Sequence, residues 1–391
     1  MSLLDKCART LAAVFLAMTL VLGAALAGTW MYVVKLLREP LSLTPPPVQA
    51  SATGPVSPLL VRYELDLPGR GEIFPALASA SDYWPVAVFR ITNTADRAVL
   101  QTVSAEVLGW SRRAEQTLVI GPRETRTLRL QPELLPAAFN NDEMRRTTLE
   151  VRVLDPEGDT QFAQDCSVFL HSASDLYWGQ QFANAQYIAR WITPHDPAVL
   201  ELVSRARRWA PSGRLPGYNQ PRRAPAALPG QVRMQARALF DALRQSGISY
   251  VTSLYTFGNF KSDAQRIRLP RETLQLSSAN CIDVTVAFAS ALENLGLRPL
   301  VVIIPGHAFV GVKLTPDSAE VLYLDLTVLP KGTFEQAIAR AGHFMEKTPA
   351  SQVLTVDVSA ARLLGIYPMP GASSTAPPVD VAQEGGSRHA R

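Results

Sequence analysis

The chain has 391 residues, which is long enough for two ordinary domains, because single domains usually contain about 100 to 200 residues. Its 38 basic and 34 acidic residues leave a net charge of +4, and the basic residues are spread along the sequence, so we expect no nucleic-acid partner. The three cysteines lie in different regions without metal-ligand spacing, which excludes a typical zinc site or disulfide framework. We expect no metal and no cofactor.

The N-terminal part of the sequence predicts a membrane anchor. Residues 10–34 contain no charged side chain and would form a helix of ~37 Å at roughly 1.5 Å per residue. A cleaved signal peptide is the alternative, because Ala25-Leu26-Ala27 has the small-x-small form of a cleavage site. The apolar run continues past that point to Val34, which favours an uncleaved transmembrane helix.

We therefore expect a cytoplasmic segment at 1–9, a single-pass anchor in the cell membrane at 10–34 and a Pro-rich linker at 35–57. The bulk of the chain is expected in the periplasm or outside the cell. Positive charges nearly balance on the two sides of the anchor, so the orientation is left open.

Residues 58–175 read as short strands with alternating apolar residues, separated by turn signals such as Gly121-Pro122. Seven such strands predict an immunoglobulin-like β-sandwich. Cys166 falls inside one strand pattern and is expected to be a small buried core residue.

Residues 185–368 change to helical periodicity, then to strands, and predict a second domain. A helix is expected over 281–295, followed by three strands and a further helix from Thr333 to Glu346. The tail at 369–391 has almost no large apolar residue and is expected to be disordered.

Cys281 is the cysteine with a chemically favourable position. It follows Asn280 at the start of the run CIDVTVAFASALENLG, in which Val284, Phe288 and Leu292 share one helical face. The partial positive charge at a helix N-terminus favours a thiolate, and free amides there can hold an oxyanion.

His307 opens a strand after the Pro305-Gly306 break, and Asp325 lies on the next strand. If 314 pairs with 320, Asp325 comes opposite Phe309 and on the same face as His307, whereas a slip of one residue places it on the other face. A thiol, a base and an orienting carboxylate could attack an amide carbonyl. The alternative is a small core cysteine, a turn-capping histidine and a strand-end carboxylate.

The segment PRETLQLSSANCIDVTVAFASALENLGL resembles the pattern of the transglutaminase-like, or papain-like cysteine, superfamily. In that pattern Pro-x-Glu-Thr-Leu precedes Gly-x-Cys-x-Asp at a helix start, and PGHAFVGV and LYLDLT are similar to its His and Asp strands. The resemblance covers about 185–368, and the runs WITPHDP, QRIRLP and ARLLGIYP are similar to a group of bacterial proteins of this type. Ala279 replaces the usual Gly, and Lys313 replaces an apolar or aromatic residue.

The resemblance implies the catalytic residues Cys281, His307 and Asp325. From their positions, Asn280 or Gln275 could donate to an oxyanion, with a capping or solvent-facing role as the alternative. Asp283 is expected to have a structural role, either as a cap of its own helix or in a pair with Arg266 or Arg268. The expected fold class is α+β: an N-terminal transmembrane helix, an immunoglobulin-like β-sandwich, then a transglutaminase-like α+β domain. The expected function is a membrane-anchored thiol enzyme acting on amide bonds of a peptide or protein, as peptidase, amidase or acyltransferase, through a thioester. The alternative is a catalytically idle scaffold that binds a peptide or protein partner. Substrate, acyl acceptor and oligomeric state are left open.

Overall fold

The computed structural model of the chain describes residues 61–67, 71–79, 86–219, 227–251 and 264–370. All of them belong to one compact unit of the chain. The described chain is a mixed α/β protein with several sheets.

The part up to residue 170 consists of two β-sheets with two short helices between strands. Its elements in chain order are β1 (Val61–Asp66), β2 (Glu72–Ile73), α1 (Pro75–Ala78), β3 (Ala87–Asn93), β4 (Val99–Val107), β5 (Ala114–Ile120), β6 (Thr125–Leu130), α2 (Pro136–Phe139), β7 (Arg145–Leu154) and β8 (Thr160–Leu170). One sheet has the order β1-β3-β6 and the other β2-β8-β7-β4-β5. All pairings are antiparallel except that of β2 with β8.

Alternating apolar side chains join these two sheets into one core. Phe89 and Ile91 of β3 and Leu149 and Val151 of β7 are fully buried, since residues two apart on a strand point to the same face. Cys166 lies in the same core, and burial is the main factor that raises the pKa of its thiol. This cysteine is therefore unsuited to act as a nucleophile at neutral pH.

The second part surrounds one central helix. Its elements are β9 (Asp175–Tyr177), α3 (Pro197–Ala206), α4 (Leu228–Gln245), β10 (Ser249–Tyr250), β11 (Ala264–Arg266), α5 (Pro270–Leu276), β12 (Ser278–Ala279), α6 (Cys281–Asn294), β13 (Pro299–Ile304), β14 (His307–Lys313), β15 (Val321–Leu324), α7 (Phe334–Lys347), β16 (Leu354–Asp357) and α8 (Val358–Leu363). A 3₁₀ helix covers Ala185–Trp191.

An antiparallel sheet of order β15-β14-β13-β16 is the frame of this part. Its inward residues, such as Val301 and Val310, share a core with α6, whereas Val302 and Phe309 pack with Ala341 of α7. The sheet is thus held between two helices.

The central helix α6 is buried from Cys281 through Leu292. The sequence pattern predicts only one buried face, but Ala287, Ala289 and Ser290 are also buried, because small side chains let neighbouring elements approach. At its far end, Glu293 receives two hydrogen bonds of 2.9 Å from Arg362 of α8. Arg362 also donates to the carbonyls of Ala189, Ile192 and Ile366, so this guanidinium ties α6 to the neighbouring segments.

The predicted fold class must be corrected, because none of the described helices is long and apolar enough to cross a membrane. The longest, α4, has 18 residues but carries four charged side chains: Arg233, Arg237, Asp241 and Arg244. The supported description is a mixed α/β chain with several sheets. The predicted anchor at 10–34 and linker at 35–57 lie outside the described residues, as does most of the predicted tail.

Substituting the central helix at Phe288 should destabilise the chain strongly. Phe288 is fully buried, so Phe288→Ala removes a large apolar group and leaves a cavity; we expect a loss of about 3 to 5 kcal/mol in the free energy of unfolding, measured by urea denaturation. Leu363→Ala, at a side chain 89% exposed, should change it by less than about 0.5 kcal/mol. Equal losses in the two variants would contradict the assigned core.

Candidate active site

Cys281 is the first residue of α6, and its helix start is fully capped. The Asn280 side-chain oxygen accepts hydrogen bonds from the amides of Ile282 (3.0 Å) and Asp283 (2.9 Å). The Asp283 carboxylate reaches back to the Asn280 amide at 3.4 Å, which completes a capping box. The thiol-bearing residue is consequently held on a rigid helix end.

This capping leaves one amide at the helix start. Among the hydrogen bonds of the described residues, the Cys281 amide donates to no acceptor, whereas the two amides after it are used by Asn280. A helix N-terminus carries about half a positive charge. The Cys281 amide is therefore placed to stabilise negative charge on the oxygen of a carbonyl group that lies next to the thiol.

His307 is fixed by a tight hairpin between β13 and β14. Ile304 pairs with His307 across the two-residue turn Pro305-Gly306, in which Gly306 has a φ of +75°. Pro followed by a residue with positive φ suits a type II turn, and Gly adopts that conformation without strain. His307 thus begins its strand at the end of the sheet, with a side chain that is 12% exposed.

Asp325 lies one residue beyond β15, in the register that brings it to His307. Lys313 is opposite Val321, and the Leu314 amide donates to the Glu320 carbonyl at 2.9 Å. Asp325 is fully buried, and its Oδ1 accepts from the Thr327 amide (3.0 Å) and hydroxyl (2.8 Å). These two bonds hold the carboxylate in one orientation.

Cys281, His307 and Asp325 come together in the structure. His307 Nε2 lies 3.2 Å from Asp325 Oδ2, and the His307 ring also interacts with the Cys281 thiol. Burial of the ring acts to lower its pKa, but the contacts with Asp325 and Cys281 outweigh burial and raise the pKa of His307 to about 9. Burial also acts against ionisation of Asp325, yet His307 and Thr327 hold the pKa of that carboxyl below its usual value. The arrangement favours an imidazolium paired with a carboxylate.

His307 Nε2 and Asp325 Oδ2 are close enough to form an ion pair, but they are not aligned for a hydrogen bond. In the absence of a bound acyl group, contacts of this kind are often long or poorly directed.

The sequence pattern does not single out three further residues of this site. Arg340 Nε of α7 lies 2.9 Å from Asp325 Oδ2, and the Phe344 ring on the same helix lies 4.8 Å from the His307 ring. Tyr250, at the end of β10, is electrostatically coupled to Cys281, Asp325 and Arg340. The sequence shows that Arg340 and Phe344 lie one helical turn apart, but it does not indicate which part of the molecule these two side chains contact.

The expected supporting residues have mainly structural contacts. Asn280 supplies its side-chain oxygen to the cap, and Asp283 accepts from the Arg268 amide at 2.9 Å, which fixes the chain that leads into α5. Gln275 is exposed on α5 and makes no hydrogen bond to Cys281 or His307 in the described part of the chain. A role of these residues in holding an oxyanion stays a prediction.

The two departures from the family pattern have local explanations. Ala279 is buried and pairs with Tyr250 in a short parallel bridge just before the helix. Lys313 is ion-paired with Asp357 at 2.7 Å, so it joins neighbouring segments at the end of the sheet away from His307. Neither substitution removes a group from the Cys-His-Asp cluster.

Compared with family models and with curated proteins, the chain matches none. The chemistry of the site is therefore inferred from its residues and their geometry alone.

The protonated His307 ring should make stability depend on pH. Its pKa is about 9 in the folded chain and about 6.5 in an unfolded one. The folded state then keeps a proton that the unfolded state releases, so this stabilisation is complete below pH ~6.5 and is lost as pH rises through about 9. We expect the free energy of unfolding of the wild type, relative to His307→Gln, to fall by roughly 1 to 3 kcal/mol over that range. Urea denaturation at several pH values measures it, and a difference that stays constant or increases with pH would contradict the prediction.

Proposed function

We propose that this protein is a thiol enzyme that acts on amide bonds, with Cys281 as nucleophile, His307 as acid and base, and Asp325 as the carboxylate that orients the imidazole. The observation that carries the proposal is the contact of one buried imidazole with both a helix-start thiol and a fully buried carboxylate. A core cysteine without chemistry needs neither partner.

The chemistry follows from the positions of these groups. The Cys281 thiolate would attack the carbonyl carbon of an amide, and the Cys281 amide would stabilise the oxygen that becomes negative. His307 would give its proton to the departing amine, which leaves a thioester on Cys281. Water or a second amine would then attack the thioester and give a proton to the neutral His307, while the C–S bond breaks and Cys281 leaves as the thiolate. Hydrolysis and acyl transfer therefore share the first half of the reaction.

Asp325 is suited to an orienting role. Thr327 fixes its Oδ1, and its Oδ2 faces His307 Nε2, which leaves the other ring nitrogen for the thiol. A carboxylate in this position selects the ring orientation and stabilises the imidazolium. Phe344 packs against the ring and limits its movement.

The second candidate is an idle site that binds a peptide or protein without turnover. One observation favours it: Asp325 Oδ2 is shared between His307 and Arg340, and neither contact is an aligned hydrogen bond. In such a protein the cluster would hold the fold together, and Cys281 would react like an ordinary buried thiol.

Alkylation of Cys281 by iodoacetamide at pH 6 separates the two candidates. A model thiol with a pKa of about 8.5 is less than ~1% ionised at pH 6. A thiolate stabilised by the His307 imidazolium should therefore react at least about tenfold faster than this model thiol, although such a thiolate is intrinsically less nucleophilic. We expect this excess rate in the wild type, followed by mass spectrometry of the Cys281 peptide.

The excess rate should disappear in His307→Ala and persist in His343→Ala, which removes an exposed histidine from α7. Cys166 in the same sample serves as a buried reference thiol. A wild-type rate equal to that of a free thiol would favour the idle site. Cys281 could also be alkylated fast while a peptide pool yields neither hydrolysed nor transamidated products. This outcome would show a reactive thiol but contradict the proposed activity on amide bonds.

A further inference from the structure

The exposed guanidinium of Arg340 is the feature of this site that the proposed reaction does not use. Its Nε lies 2.9 Å from Asp325 Oδ2, and its side chain is 52% exposed whereas Asp325 is fully buried. No hydrogen bond from its two terminal nitrogens occurs among the described residues. An arginine with one nitrogen fixed and two exposed can bind a carboxylate in solution.

The orientation of this guanidinium is constrained by two contacts. The ion pair with Asp325 holds its Nε, and its Cζ lies 5.9 Å from the centroid of the Phe344 ring. Phe344 in turn packs on His307. A side chain held this way loses less entropy on binding a ligand than a free surface arginine does.

Arg340 is also close to His307. Asp325 Oδ2 contacts both His307 Nε2 and Arg340 Nε, so these nitrogens are at most about 6 Å apart. Tyr250 is 43% exposed and couples electrostatically to Cys281 as well as to Arg340, so both residues lie near this partly exposed tyrosine. A group bound by Arg340 would therefore lie close to the imidazole that contacts Cys281.

The charge balance favours an anion at this position. Asp325 is enclosed by Thr327, His307 and Arg340, so its negative charge is directed inward. The positive charge of Arg340, whose side chain is 52% exposed, faces solvent. A carboxylate on the substrate would meet this charge, whereas an ammonium group would be repelled.

We propose that Arg340 is a specificity-determining residue that binds a carboxylate of the substrate close to the scissile amide. The substrate class is then an acyl group with an acidic side chain or a free carboxyl end next to the reacting carbonyl. This inference rests on the proposed function of Cys281 and deepens it.

Two small electrophiles test the inference on the full chain. Iodoacetate and iodoacetamide have nearly the same size and alkylate the same sulfur, but only iodoacetate carries a carboxylate. The ratio of their rates at Cys281 reports attraction of the carboxylate, because any change in thiolate fraction affects both reagents alike. We expect Arg340→Gln to lower the iodoacetate to iodoacetamide ratio roughly three- to tenfold. Arg340→Lys should retain part of the preference, and added salt should weaken it.

Arg237→Gln is the matched control. Arg237 is also 52% exposed, is ion-paired with Glu335 and packs on Phe334, but has no contact with the Cys-His-Asp cluster among the described residues. Its ratio should equal that of the wild type. A ratio unchanged in Arg340→Gln, or lowered equally in Arg237→Gln, would overturn the inference.

The test also separates this inference from the proposed function. Slow iodoacetamide alkylation of the wild type would count against the thiol enzyme itself. Fast iodoacetamide alkylation with an unchanged ratio would overturn only the role of Arg340. If Arg340→Gln fails to fold, two other measurements test the inference: the salt dependence of the wild-type rate ratio and the rate ratio of Arg340→Lys. A rate ratio that changes neither with salt nor in Arg340→Lys would overturn the role of Arg340.

Discussion

The complete burial of the Asp325 carboxylate is the constraint on which the geometry of the site depends. An ionised carboxylate without water is costly unless its oxygens meet positive or hydrogen-bonding groups. Thr327 supplies two donors to one oxygen, and His307 and Arg340 approach the other. The neighbouring elements must therefore converge on this point: the 3₁₀ turn that contains Thr327, the β13–β14 hairpin and helix α7.

This convergence explains why a helix far along the chain belongs to the site. The Asp325 amide donates to the Ala337 carbonyl of α7 at 3.0 Å, and Arg340 lies one turn further along that helix. Backbone and side chain of Asp325 are thus both anchored by α7. Phe344 extends the contact to the imidazole, so one helix supports both the base and its carboxylate.

Local signals in the sequence predicted the positions of two of the three reactive groups. Asn280 before an apolar run placed Cys281 at a helix start, and Pro305-Gly306 placed His307 at a hairpin. The sequence left the register of Asp325 open between two alternatives, and the structure has the one in which 314 pairs with 320. Each of these inferences uses residues close together in the chain, where turn and cap preferences act.

Features that depend on tertiary contacts were not predictable in this way. Arg340 belongs to an ordinary amphipathic helix, and nothing in its spacing indicates that it faces a buried carboxylate. The burial of α6 on all sides was missed because alanine and serine do not mark an apolar face. The fold class failed for a different reason: it rested on the hydropathy of a segment outside the described residues, and none of the described helices spans a membrane.

The bonds between Glu293 and Arg362 have a consequence for the opposite end of their helix. Fourteen residues of α helix form a rod of roughly 21 Å, and an enclosed rod transmits a shift along its axis with little bending. A shift imposed at the Arg362 end of this helix would therefore be carried roughly 20 Å to Cys281 at its other end. Substitutions near Arg362, far from any ligand, can then displace Cys281 from His307. All three side chains of the site would still be present, but the distances that the proposed reaction needs would be lost.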